Sequence, residues 1–174
     1  MPIRILPDPL SLLRPVSKTL TVTKTRPADT TTYAVGDTIS ESTSAGTVWT
    51  FPWSRSNGLG GILQDAVLIV STAQSLKLDA QLWLFDTAPT TTLNDNVAWA
   101  PTDAEMKQLL TIISFSVSGV LVGSGNTAIE AAALARSITC ASGSSSIYGV
   151  LRANNAYVPT SAEDITIRLR QIQD

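Results

Sequence analysis

Few side chains in this sequence could do chemistry, and the most versatile one is absent. There is no histidine among the 174 residues, which removes the usual general base, the Ser-His-Asp and Cys-His arrangements, and most zinc or iron sites. A single cysteine, Cys140, excludes an internal disulfide and any CxxC cluster, and reads as a small core residue. Asp86, Asp95 and Asp103 offer the oxygen ligands that calcium takes, but no spacing here matches a calcium loop, and such residues more often make turns and caps. Glu163 and Asp164 are an acid pair of the kind a glycosidase uses, although adjacent acids at a strand entry are usually just solvated. Asn57–Gly61 (NGLGG) lacks the following Lys-Ser/Thr and helix start of a phosphate loop, so it is read as a plain loop. Trp49, Phe51 and Trp53 alternate, and are read as one face of a core strand. The sharper alternative is a sugar-stacking platform that also draws on Trp83 and Trp99. No catalytic residue, metal or cofactor is expected from this inventory.

Composition narrows the class further. Apolar residues make up 44% and charged residues only 15%, below the typical charged share of about 25%. The surface is therefore expected to be paved with Thr and Ser, which suits close contact with other protein as well as an ordinary Thr-rich sandwich. A net charge of −2, with its 12 basic residues scattered, argues against a nucleic-acid partner. No run of about 18 apolar residues is present to cross a membrane, and Pro2, Pro7 and Pro9 interrupt any secretion-signal pattern.

The elements that must position these residues are mostly strands. Residues 1–17 carry four prolines among apolar residues and are read as an extended arm lying along its own domain or a neighbouring subunit; residues 18–174 form the folded domain. Strict alternation marks Lys18–Thr25 as a half-buried strand, with Leu20 and Val22 opposite Thr19, Thr21 and Thr23. Thr32–Ser40 is a short extended piece. Thr47–Trp53 is a strand pushed to a sheet edge by Pro52. Ile62–Thr72, apolar on both faces, should sit centrally, and Asp79–Phe85 is similar. A polar loop, Asp86–Pro101, leads to Thr102-Asp103-Ala104-Glu105, which fits a capping box opening a helix through Leu109 or Leu110. Thr111–Val122 is read as one strand, Thr127–Arg136 as helix-forming in composition or a loop with one turn, and Ser137–Ala141, Ser146–Ala153 and Ile165–Ile172 as the last strands. Eight or nine strands with one short helix predict an all-β antiparallel sandwich, most economically a jelly roll.

Three stretches carry a family resemblance: TRPADTTTYAVGD (Thr25–Asp37), LWLFDTAPTTTLNDNVAWAPTDAE (Leu82–Glu105) and YGVLRANNAYVPTSAEDITIRL (Tyr148–Leu169). Together they resemble small virion proteins encoded among the head genes of tailed bacteriophages, a group that includes capsid decoration, or cement, proteins. The resemblance runs from about Thr19 onward in the same order and excludes the arm and Gly123–Ser137. It implies a β-sandwich, made in the host cytoplasm, that binds the outside of an icosahedral shell across major capsid protein subunits, as a homotrimer near three-fold or quasi-three-fold positions. It implies no catalysis, cofactor, nucleic acid or membrane. It transfers no binding residues: Asp86, Pro89, Asn94, Asp95 and Asn96 are expected to be fold markers. Contact with capsid or subunit is expected instead from the arm, through Ile3, Ile5, Leu6, Leu10, Leu12 and Leu13. The competing readings are a tail, neck or fibre-associated component, and a carbohydrate-binding module that would need at least two exposed Trp rings.

Overall fold

The computed structural model describes residues 16–116, 120–131 and 134–173. Ten strands and one helical turn follow in order: β1 (Val16–Thr25), β2 (Trp49–Phe51), β3 (Gly60–Val70), β4 (Ala80–Phe85), α1 (Asp103–Met106), β5 (Leu109–Phe115), β6 (Val120–Val122), β7 (Thr127–Ala131), β8 (Arg136–Thr139), β9 (Ile147–Ala153) and β10 (Asp164–Gln173). They pair antiparallel in two sheets. The large sheet runs β1-β10-β3-β7-β6, with β8 beside β7 along the same edge of β3, and the small sheet runs β2-β9-β4-β5.

The period-two patterns explain which face of each strand is buried. Leu63, Ala66, Leu68 and Val70 of β3 and Ile165, Ile167 and Leu169 of β10 point inward from the large sheet. Ala80, Leu82 and Leu84 of β4 and Ile147, Leu151 and Ala153 of β9 meet them from the small one, forming a single apolar layer between the sheets. Trp49, Phe51 and Trp53 belong to this layer, so the alternating aromatics are a core strand, and β2 is an edge strand as Pro52 requires. The central place expected for β3 is observed, with β10 on one side and β7 and β8 on the other.

Several boundaries differ from expectation. The first strand begins at Val16, two residues inside the expected arm, because Val16 and Ser17 pair with Gln173 and Ile172. The capping box is present, but the helix stops at Met106; Leu109 is already paired with Phe85 in β5, since the chain is needed in the small sheet. Thr111–Val122 is not one strand: β5 lies in the small sheet and β6 in the large one. Thr127–Arg136 opens with a strand, β7, in place of a helix or loop, because the open side of β3 recruits Thr127–Ala131 by ladder pairing, which overrides alanine's helix propensity; the short strand expected at Ser137–Ala141 is present as β8 (Arg136–Thr139). Thr32–Ser40 contributes bridges, not a strand, yet Ile39 donates its N–H to Leu151 O (2.9 Å) and so extends β9's edge beyond β2.

Gly149 marks the tightest approach in the small sheet. A Cβ there would lie 2.9 Å from Leu82 Cδ1, 3.2 Å from Trp49 Cβ and 3.3 Å from Phe51 Cε2. The neighbours are rings and a leucine held in the core, so Gly149→Ala is expected to cost about 1–3 kcal/mol by overpacking. Urea denaturation of the variant against the parent chain measures it.

Candidate functional site

The residues with chemical potential are drawn together chiefly at one corner of the sandwich, around the loop from Asp86 to Pro101. This loop lies over the outer face of the small sheet. Leu93 and Trp99 descend from it onto Phe85 and Val150, whose side chains point away from the main core, and make a second apolar cluster flanked by Val48, Trp83 and Leu109. Trp99 meets Trp83 and Phe85 edge-on, at 5.7 and 5.8 Å between centroids, and the Arg152 guanidinium sits 5.0 Å over the Trp83 ring.

Buried charge fixes this loop. Arg26 follows directly on β1, and its Nη2 donates to Asp95 Oδ2 at 2.8 Å, with both side chains at most 1% exposed. Arg26 Nε also donates to the Tyr33 hydroxyl, which in turn donates to Asp95 Oδ1 at 2.5 Å; the Ser40 N–H donates to the same oxygen at 2.9 Å. Burial, and the adjacent Asp95 carboxylate after it, push the Tyr33 phenol well above its ordinary range, so the hydroxyl stays a donor. Tyr33 stacks on Tyr157, 6.4 Å between centroids, and bonds its N–H to Tyr157 O at 2.9 Å. The Tyr157 hydroxyl donates to both oxygens of Glu163 (2.8 and 2.9 Å), which is 1% exposed, and Arg26 N–H donates to Glu163 O at 2.9 Å. Arg26 and Tyr33, Asp95, and Tyr157 and Glu163 come from the three separate stretches singled out in the sequence. The fold joins them in one polar network.

A second clamp holds the other end of the loop. Glu105 completes the capping box and also accepts from Thr90 N–H (2.7 Å), Thr91 N–H (2.8 Å), Thr102 N–H (2.8 Å) and the Thr91 hydroxyl. Burial pushes its carboxyl up, but the bonds from the Thr91 side chain and from the backbone of Thr102, Thr91 and Thr90 outweigh it and hold the pKa at about 2. The capping box was legible in the sequence. The Thr90–Thr91 contacts were not, because they close a gap of 14 or 15 residues that no local pattern encodes.

The individual candidates distribute as follows. Asp95 is committed to Arg26 and Tyr33, Asp86 is half-buried at the start of the loop with its N–H on Gln108 O (3.2 Å), and Asp103 is exposed in the first helical turn. Among the described residues no group of three or more acids, cysteines or histidines converges as a metal would need. Glu163 and Asp164 do not act as a pair: Glu163 is buried against Tyr157, not solvated as expected, while exposed Asp164 accepts from Thr25 Oγ1 at 2.5 Å. Trp49, Trp53 and Trp99 are buried and Trp83 is half-buried under Arg152, so the two exposed rings a glycan platform requires are not there. Cys140 is buried just beyond β8, and burial pushes its thiol up. Ile3, Ile5, Leu6, Leu10, Leu12 and Leu13 lie outside the described residues.

One open depression, about 310 Å³, runs between residues 44–48 and 89–94. Its lining is small, polar and apolar residues, with no charged side chain. Gly46 is fixed here by space: a Cβ would fall 1.9 Å from Leu93 O. The chain matches no protein-family model and no curated protein.

Two outcomes test this corner. Asp95→Asn leaves Arg26 buried without its counter-charge and is expected to destabilise the fold by about 3–5 kcal/mol, read as a lowered denaturation midpoint. Glu105 has a folded pKa of about 2 against an ordinary 4.5, so its contribution is complete above pH 4.5 and is lost as pH falls toward 2. Thermal melts across that window are expected to show this loss. In Glu105→Gln the drop should be smaller, the remainder reflecting Glu41, whose pKa is also held at about 2 against its burial, chiefly by Lys24 and Thr47.

Proposed function

We propose that this chain is a non-enzymatic virion structural protein that decorates and stabilises the outer surface of a tailed-bacteriophage capsid by binding across major capsid protein subunits, as a homotrimer. The observation that carries this reading is the convergence of Thr25–Asp37, Leu82–Glu105 and Tyr148–Leu169, the stretches that resemble phage head proteins, on the network of Arg26, Tyr33, Asp95, Tyr157 and Glu163. Three scattered stretches thereby become one structural unit.

Two further features support it. We read the sandwich as a jelly roll: counting β7 and β8 as one interrupted strand along β3, and β6 as an added edge strand beside β7, the sheets run first-eighth-third-sixth and second-seventh-fourth-fifth, the interleaving of two Greek keys that viral shell domains use. The chain is also poor in charge, at 15% of residues, which favours dense packing against other protein. The mechanism is mass action. A protein that binds the assembled shell and not the loose subunits shifts the equilibrium toward the shell, and the effect multiplies over many copies.

An image reconstruction of the intact virion is expected to place this chain on the outer shell, across subunit joints; density confined to the tail or neck overturns the reading. Residues 1–15 provide reach to the adjacent subunit. Deleting them is expected to weaken binding to stripped shells at least tenfold while leaving the melting temperature of the sandwich unchanged, and unchanged binding would sink the role of the arm.

A further inference from the structure

The two faces of the sandwich are finished differently. The small sheet's outer face is roofed by the loop of residues 86–101 and its apolar cluster. Among the described residues the large sheet's outer face has no such roof: Val67 and Ile69 of its central strand point outward half-exposed and belong to neither apolar cluster, and Ile62 is 44% exposed. Register places the outward residues in rows across the strands. One row is Thr21, Arg168, Val67 and Glu130; the next is Thr23, Thr166, Ile69 and Ala128.

Charge on this face is unevenly matched. Arg170 is held by Asp65 (2.7 Å) and Glu130 (3.1 Å), which neutralise it. The Arg168 side chain, one pleat away and exposed, has no hydrogen-bond or ion-pair partner among the described residues. Between the two guanidinium-bearing chains opens a cavity of about 170 Å³ lined with Val67, several times the roughly 30 Å³ that one water takes up in the liquid. Beside it, β1 presents Ser17, Thr19, Thr21, Thr23 and Thr25, all exposed. Threonine is stiff at χ1, so this row loses little freedom when covered.

We propose that this face, centred on Arg168, is the surface by which the protein docks, and that its partner is a protein surface presenting a carboxylate side chain ringed by apolar residues. The carboxylate enters the slot between Arg168 and Arg170 and bonds the free Arg168 fork; the surrounding apolar atoms cover Val67 and Ile69. Arginine anchors of this kind, central and flanked by apolar contact, commonly dominate interface energetics. The identity of the partner as the capsid shell rests on the function proposed above; the choice of face and of partner chemistry rests on the geometry.

The test is sedimentation of the full-length chain with shells stripped of it, at physiological salt and at three times that salt. Arg168→Glu, and Thr21→Glu, which places a carboxylate beside Arg168, are each expected to weaken binding at least tenfold. Ser114→Glu, on the exposed outer side of β5 in the other sheet, should leave binding within twofold. All three positions are exposed, so matching thermal melts confirm that the variants fold. Wild-type binding that falls with salt, while an Arg168→Ala variant falls less, is the further signature of a charge contact. Wild-type binding that both Arg168→Glu and Thr21→Glu leave within twofold overturns the docking face and spares the virion reading. A wild-type chain that does not bind stripped shells at all overturns the virion reading and, with it, the shell as partner.

Discussion

The structure depends on one buried ion pair, Arg26 with Asp95. Residues 86–101 lie in no strand; their backbone pairs with residues 36–42 through a single bridge and a few hydrogen bonds, and the buried ion pair adds a fixed point to that short stretch. Taking a guanidinium and a carboxylate out of water is costly unless each finds the other in good geometry. That condition admits essentially one placement of Asp95 beneath the end of β1, with Tyr33 closing the triangle. Once Asp95 is placed, Leu93 and Trp99 on either side of it fall onto Phe85 and Val150. The second apolar cluster is thus a consequence of the ion pair as much as of hydrophobicity.

This arrangement gives the sandwich its asymmetry. One sheet is sealed on both sides, by the shared core and by the loop, and its outward aromatic residues are consumed internally. Among the described residues the other sheet is sealed on one side only, and its free face is built of threonine, valine and isoleucine with a few arginines. A fold that invests its aromatic rings in holding its own loop leaves short, stiff side chains for external contact.

Much of this was legible in the sequence and some was not, for identifiable reasons. Period-two alternation located β1, β3, β4, β9 and β10, and for β1 separated the buried face from the exposed one, because one-sided burial leaves a direct imprint on residue type. The capping box at Thr102–Glu105 was legible because capping is local. The helix-like run after Thr127 misled because propensity is a weak preference and an unpaired side of β3 is a strong demand. The passage from β5 to β6 was invisible, since alternation reports that a strand is half-buried and not which sheet it joins. Asp95 looked like a turn residue. Only its pairing with Arg26, 69 positions away, reveals it as the keystone, and Glu163 was likewise hidden by the separation between sequence neighbours and spatial ones.

The placement of β10 between β1 and β3 has a consequence for how the chain is made. On a ribosome, the first strand emerges long before β10, its partner in the sheet among the described residues, and the two central partners of the large sheet are separated by most of the described chain. The large sheet is not complete until β10 is out, so the growing polypeptide carries apolar strands uncovered until then. Folding is dominated by non-local pairing and correspondingly slow. The interval before β10 arrives is the period in which the chain is most exposed to aggregation and most dependent on chaperones.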